Sequence, residues 1–229
     1  MKNLPVYISI FFVLTTLLTV WLFYRATKKS TITIIVLLSW LAVQMFIALT
    51  GFYLLTTSTS RFPFLIIPPI VFIIILFIVK SGRKYIDNLD IKMLTILQTI
   101  RIPVELLLFC LFINGKIPKI MTFEGRNFDM LAGLSAPVIY YFGYIKNTIG
   151  KNILIGWNFI CLGLLLNIVI IAVLSAPFSF QQFGFEQPNI AIFYFPFIWL
   201  PCCVVPLVLF SHLISLKHLL TRSDLPFNK

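Results

Sequence analysis

Arg101 and Glu105 stand four residues apart in "QTIRIPVELLLFC", residues 98–110, inside a run that is otherwise apolar. On a helix, side chains at i and i+4 lie one above the other, so a guanidinium and a carboxylate at this spacing can pair. At about 100° per residue, Asp90, Leu94, Gln98, Arg101 and Glu105 share one stripe, and Lys92 points away from it. Pro103 lies between the two charges; it has no amide hydrogen, so the carbonyl of Thr99 is released as an extra acceptor. Charges inside a bilayer cost roughly 2.5–3.5 kcal/mol each on insertion scales and usually turn inward, paired. The stripe therefore predicts a polar intramembrane site that binds an anionic solute through Arg101 or relays protons through Glu105. The competing reading is interfacial. Pro103 would open a new helix with Glu105 near its positive end, residues 85–100 would lie along the headgroups, and Arg101 would reach up to them. A helix begun at Ile102 meets Asn114 after only about 13 residues, short for a crossing, so the buried pair is preferred.

Other polar residues fall within apolar runs. Gln44, together with Gln98, is assigned to the same intramembrane site as Arg101 and Glu105. Asn158 and Asn167 are read as interhelical hydrogen-bonding groups, worth about 0.6 kcal/mol each on average. The cluster "FEGRNFD", residues 123–129, places Glu124, Arg126 and Asp129 in an outer loop. It can serve as a recognition or ion site, or simply as a turn in which Asn127 or Asp129 caps the next helix. His212 and His218 are six residues apart, about 120° around a helix, which separates them as ligands. Cys110, Cys161, Cys202 and Cys203 all sit in apolar runs without zinc spacing, and read as packing residues. No phosphate loop, H-E-x-x-H or G-x-S-x-G motif is present, so neither a metal nor a cofactor is expected.

The elements that must position these residues follow from composition. The 229 residues are 60% hydrophobic and 11% charged, with a mean hydropathy of +1.02. Soluble domains carry about 25% charged residues. We read an all-α, polytopic membrane protein: one domain over residues 1–229, with seven spans at about 5–24, 31–55, 63–79, 92–113, 130–146, 153–175 and 189–213. The first run has no evident cleavage site and is read as a retained span. Span seven contains Pro196, Pro201 and Pro206, and is expected to be broken. Phe178, Phe180, Phe183 and Phe185, just before it, are expected to anchor or cap the outer surface.

The net charge of +11 sits in short clusters between apolar runs, which is the distribution of cytoplasmic loops and not of a nucleic-acid-binding face. An outside amino terminus and a cytoplasmic carboxyl terminus give the larger asymmetry. The inner side then holds Arg25, Lys28, Lys29, Lys80, Arg83, Lys84, Lys92, Lys146, Lys151, Lys217, Arg222 and Lys229; the outer side holds Lys2, Arg61, Lys116, Lys119 and Arg126.

The bilayer is the expected partner, with a small solute or ion, or a membrane-protein partner, in addition; no nucleic acid is expected. A bacterial cytoplasmic (inner) membrane is the expected location. The functional expectation is a transporter-like protein for a small solute or ion. The alternative is a non-catalytic subunit, assembly or anchoring protein. A membrane-embedded lipid-modifying enzyme ranks third, because no nucleophile or metal set accompanies Glu105 or Glu124.

Overall fold

The computed structural model describes residues 4–54 and 61–221. Residue 55, at the end of the expected second span, and Lys2, Arg222 and Lys229 of the charge argument lie outside the described residues. The described chain is helical, without strands.

Helices α1 (Val6–Ala26) and α2 (Thr31–Leu49) form a hairpin. Lys28 and Lys29 take φ of 55° and 65° to reverse the chain, and Ser30 caps α2 by accepting from the Thr33 amide. Helix α3 (Pro63–Ile78) begins on a proline, whose missing amide hydrogen is not needed in a first turn. Helix α4 (Lys80–Asp87) then departs at 91°. Gly82 permits that bend, because a Cβ there would lie 2.4 Å from the Leu76 carbonyl oxygen.

Asp90 caps α5 (Ile91–Leu97) through the Lys92 amide at 2.9 Å. One 3-10 turn, Gln98–Ile100, joins α5 to α6 (Arg101–Ile113), and the whole stretch of 23 residues runs as one apolar helix. Pro103 thus sits in the first turn of α6 without interrupting the crossing. The tighter turn ahead of it absorbs the missing backbone bond.

Helix α7 (Met130–Ile139) continues as a π-helical segment, Tyr140–Ile145. Helix α8 spans Lys151–Leu174, and a second π segment, Leu200–Val204, runs into α9 (Val205–Thr221). The final helix differs from expectation: it starts at Leu200 instead of 189, and it is widened rather than broken. Residues 189–199 instead lie across the end of α6, where the Ile190 amide donates to the Lys116 carbonyl at 3.1 Å. Pro206 frees the carbonyl of Cys202, four residues back, and the Trp40 indole donates to it at 2.9 Å.

Five stretches are long and apolar enough to cross a membrane: Val6–Ala26, Thr31–Leu49, Ile91–Ile113, Lys151–Leu174 and Leu200–Thr221. The bent α3–α4 pair makes a sixth if counted as one span, and Met130–Ile145 is shorter. Ile10, Leu14, Leu38, Ile67 and Ile160 are exposed, as apolar residues on the outside of a membrane-spanning bundle would be.

One end of the bundle gathers the bases. There the Asp90 amide donates to the Ala26 carbonyl, Lys217 pairs with Asp87 at 2.7 Å, and the His218 Nε2 donates to the Ile86 carbonyl at 3.0 Å. At the other end Phe178 packs against Phe62 and Phe193, with ring centroids 5.5 and 5.6 Å away. Phe185, by contrast, is exposed, so the phenylalanine-rich loop is part cap and part surface.

Candidate functional site

Three helices bring polar groups to one depth. Arg101 lies ten residues from the start of α5, and Cys161 ten residues from the start of α8, about 15 Å at 1.5 Å per residue. His212 lies nine residues from the end of α9, about 14 Å. All three distances run from the basic end of the bundle and amount to half the roughly 30 Å of a hydrocarbon core.

Arg101 is only 2% exposed. Its Nη1 donates to the Asp129 Oδ1 at 2.8 Å and to the Cys161 carbonyl at 3.0 Å. Its Nη2 lies 2.9 Å from the His212 Nε2. A guanidinium has no acceptor, so this Nε2 carries no proton and His212 is a neutral imidazole. The Nδ1–H of His212 then donates to the Asn158 Oδ1 at 2.9 Å, and the Asn158 Nδ2 donates to the Leu154 carbonyl at 2.8 Å. Trp157 packs beside the imidazole, with centroids 5.8 Å apart and ring planes tilted by 59°.

The carboxylates arrive from two directions. Glu105 stands one turn along α6, 1% exposed, and its Oε1 accepts from the Asn127 Nδ2. Asn127, fully buried, also donates to the Met121 carbonyl at 3.0 Å and accepts the Asp129 amide at 3.1 Å. Asp129 directly precedes α7 but makes no side-chain cap; its carboxylate turns to Arg101 instead. Gly133, one turn on, allows the close approach: a Cβ there would lie 2.9 Å from the Ile102 Cγ1 and 3.3 Å from the Arg101 Cβ. The result is one buried sequence of contacts: Glu105, Asn127, Asp129, Arg101, His212, Asn158.

The predicted residues are only partly assembled here. Arg101 and Glu105 face the interior, but the ion pair of Arg101 is with Asp129, 28 residues away, and not with Glu105. Gln98 is buried close by and donates weakly to the Leu94 carbonyl at 3.5 Å. Gln44 belongs elsewhere: its Oε1 accepts from the Tyr53 hydroxyl at 2.7 Å. The outer trio is divided. Glu124 pairs with Lys119 at 3.4 Å on the surface, Arg126 is exposed and offers its carbonyl to Asn167, and Asp129 alone enters the bundle. His218 is buried against α4, apart from His212.

Asn127, Asn158 and His212 are members of the site that sequence spacing did not assign, and Asp129 was assigned to the outer loop instead. A faint signal was present: Asp129 precedes an apolar run too short for an ordinary span, so its helix can begin at depth. Among the described residues, no group of three His, Cys, Asp or Glu side chains is placed to hold a metal ion. At the site, the Glu105 Oε2, the Gln98 Oε1 and the Arg101 Nε have no hydrogen-bond partner among the described residues.

Residues 61–220 match the model of a family described as a domain of unknown function. The match contains every residue of the buried site. No curated protein and no solved structure matches the chain.

Proposed function

The chain belongs to that family, DUF8737, and we propose that it is a transporter-like membrane protein whose central site exchanges a proton, or a small cation in its place, at Glu105. The observation that carries this reading is the charge count at the site. One guanidinium faces two buried carboxylates, and Asp129 takes the guanidinium directly. Glu105 keeps only the neutral Asn127 amide on one oxygen and no partner on the other. An unpaired carboxylate at this depth is strongly disfavoured, so the surplus negative charge is neutralised by a proton or a cation. His212 and Asn158 extend the polar chain from Arg101 toward the basic end of the bundle.

The proposed topology has seven crossings, with the amino terminus outside. The fifth is the short helix Met130–Ile145, entered from the partly buried turn 116–129. The gathering of Lys28, Lys29, Lys80, Arg83, Lys84 and Lys217 at one end supports the cytoplasmic assignment of that end. A bacterial inner membrane is the proposed location.

The test is proton flux in proteoliposomes loaded with a pH-sensitive dye. Wild-type protein dissipates an imposed pH gradient faster than empty vesicles, and Glu105→Gln removes the increment. Flux that is absent in the wild type, or unchanged in Glu105→Gln, contradicts the proposal.

A second reading, a membrane subunit or assembly protein, is favoured by one observation. Arg101 is held by three partners, and neither the apolar cleft between α2 and α3 nor the small cavity beside Phe12, Leu107 and Phe197 is lined by Arg101 or Glu105. For that reading, a stoichiometric partner is captured by cross-linking and lost when residues 115–129 are replaced.

A further inference from the structure

Away from the buried site, the side of the bundle opens between α2 and α3 into a cleft of about 500 Å³. Small-molecule sites span roughly 300–1,000 Å³. Its floor is buried: Phe23, Ile73, Cys202, Cys203 and Leu207. Its rim, Ile32, Val36 and Phe72, is exposed, so the cleft faces the surroundings of the bundle and is not sealed in the core. Trp40 forms part of the wall, fixed by its hydrogen bond to the Cys202 carbonyl. No charged side chain lines the cleft.

One end differs in chemistry. There the Thr33 and Tyr85 hydroxyls lie 3.0 Å apart at the cleft boundary. Just beyond stand the exposed Lys28 and Lys29 of the α1–α2 turn and the exposed Lys80, Arg83 and Lys84 of α4. None of these five forms a salt bridge among the described residues. The two nearest acids in sequence are already engaged, Asp87 by Lys217 and Asp90 in capping α5. Helix α4 leaves α3 at 91°, an angle that lays its bases along the end of the bundle instead of into the bilayer.

An apolar cleft open to lipid, ending in two hydroxyls and a field of unbalanced positive charge, matches a molecule with an apolar tail and an anionic head. We propose that the cleft holds an acyl chain of an anionic phospholipid, with its phosphate at Tyr85, Thr33 and the bases of α4 and the α1–α2 turn. The tail gains by replacing a void with contacts, and the head by charge. A Lys or Arg near a membrane surface contributes roughly 1 kcal/mol toward anionic lipid, so one effective base already selects it over a zwitterionic lipid by about fivefold.

Trp40 reports on the cleft directly. The full chain in nanodiscs of phosphatidylcholine is exchanged stepwise into phosphatidylglycerol or phosphatidylcholine with brominated tails, and tryptophan quenching is followed. The expected result is a saturable component, half-complete at a mole fraction about fivefold lower for phosphatidylglycerol, and missing in Trp40→Phe. In the combined variant Lys28→Gln, Lys29→Gln, Arg83→Gln, Lys84→Gln, the saturable component remains but the headgroup preference falls to near one. Linear quenching that is equal for both lipids would show annular contact only and overturn the proposal. So would saturation that persists in Trp40→Phe, or saturation without headgroup preference in the wild type. Protection of Trp40 from both lipids, with a cross-linked dimer through α2, would give the cleft to a second copy of the chain and likewise overturn it.

Discussion

Removing the Arg101 side chain is the most informative single perturbation of the buried site. In Arg101→Gln, Asp129 loses its ion-pair partner among the described residues, and Glu105 stays where it is with one amide contact. Two buried carboxyls then share a site with no cation. Breaking a buried pair from one side costs about 3–5 kcal/mol, because the remaining charge is left uncompensated. Asp129→Asn acts differently. The guanidinium keeps the Cys161 carbonyl and His212, and Glu105 remains one helical turn away as a substitute anion. That change is expected to cost about 1–3 kcal/mol, the scale of one unmade buried hydrogen bond. The double variant removes both charges and leaves Glu105 alone, to be neutralised by a proton. Its destabilisation should fall short of the sum of the singles by about 2–3 kcal/mol, within the range for groups in direct contact. Reversible unfolding of the reconstituted protein in mixed micelles measures all three variants. A cost for Arg101→Gln below that of Asp129→Asn, or additivity of the two within about 0.5 kcal/mol, would refute the charge accounting.

Three further outcomes are expected. Asn127→Ala leaves the Glu105 Oε1, the Met121 carbonyl and the Asp129 amide without their partner; it should cost at least about 1–3 kcal/mol, and amide exchange in residues 116–129 should speed up before that of α8. His212→Gln can still accept from Arg101, whereas His212→Leu cannot; thermal unfolding in detergent should show the leucine variant to be less stable by about 1–3 kcal/mol, with the glutamine variant recovering part of the loss. Gly133→Leu must push α7 away from Ile102 and Arg101; a loss of about 1–3 kcal/mol or more is expected, and a cysteine pair bridging α6 and α7 near this point should cross-link more slowly in that background.

The legible and illegible parts of the fold divide along a physical line. Apolar run length is local, and it located Val6–Ala26, Ile91–Ile113 and Lys151–Leu174 within two residues at each end, whereas Thr31–Leu49 stops six residues short of its expected end. The inward turn of Arg101 and Glu105 followed from the cost of facing lipid, which depends only on the charges themselves. Partner choice is not local. Arg101 has Glu105 four residues away on its own helix, yet the guanidinium goes to Asp129, because the turn 116–129 folds into the bundle and delivers a second carboxylate end-on. Nothing in the spacing of "FEGRNFD" separates Asp129 from Glu124 and Arg126. What does so is burial, set by the packing of Ile117, Met121 and Asn127. Gln44 misled for the same reason: a mid-span polar residue needs a partner, and its Oε1 finds one in Tyr53, just after its own helix. The start of the last helix was misplaced because an apolar stretch rich in proline satisfies run length equally well as a helix or as the buried crossing segment 189–199.

Infrared spectroscopy of the reconstituted protein at neutral pH tests the central claim most directly. The account predicts one protonated carboxyl band that is absent from Glu105→Gln and shifts on transfer to deuterated water, reporting an exchangeable proton in the buried site. A spectrum with only ionised carboxylates, unchanged by Glu105→Gln, in a protein free of bound cations, would contradict it.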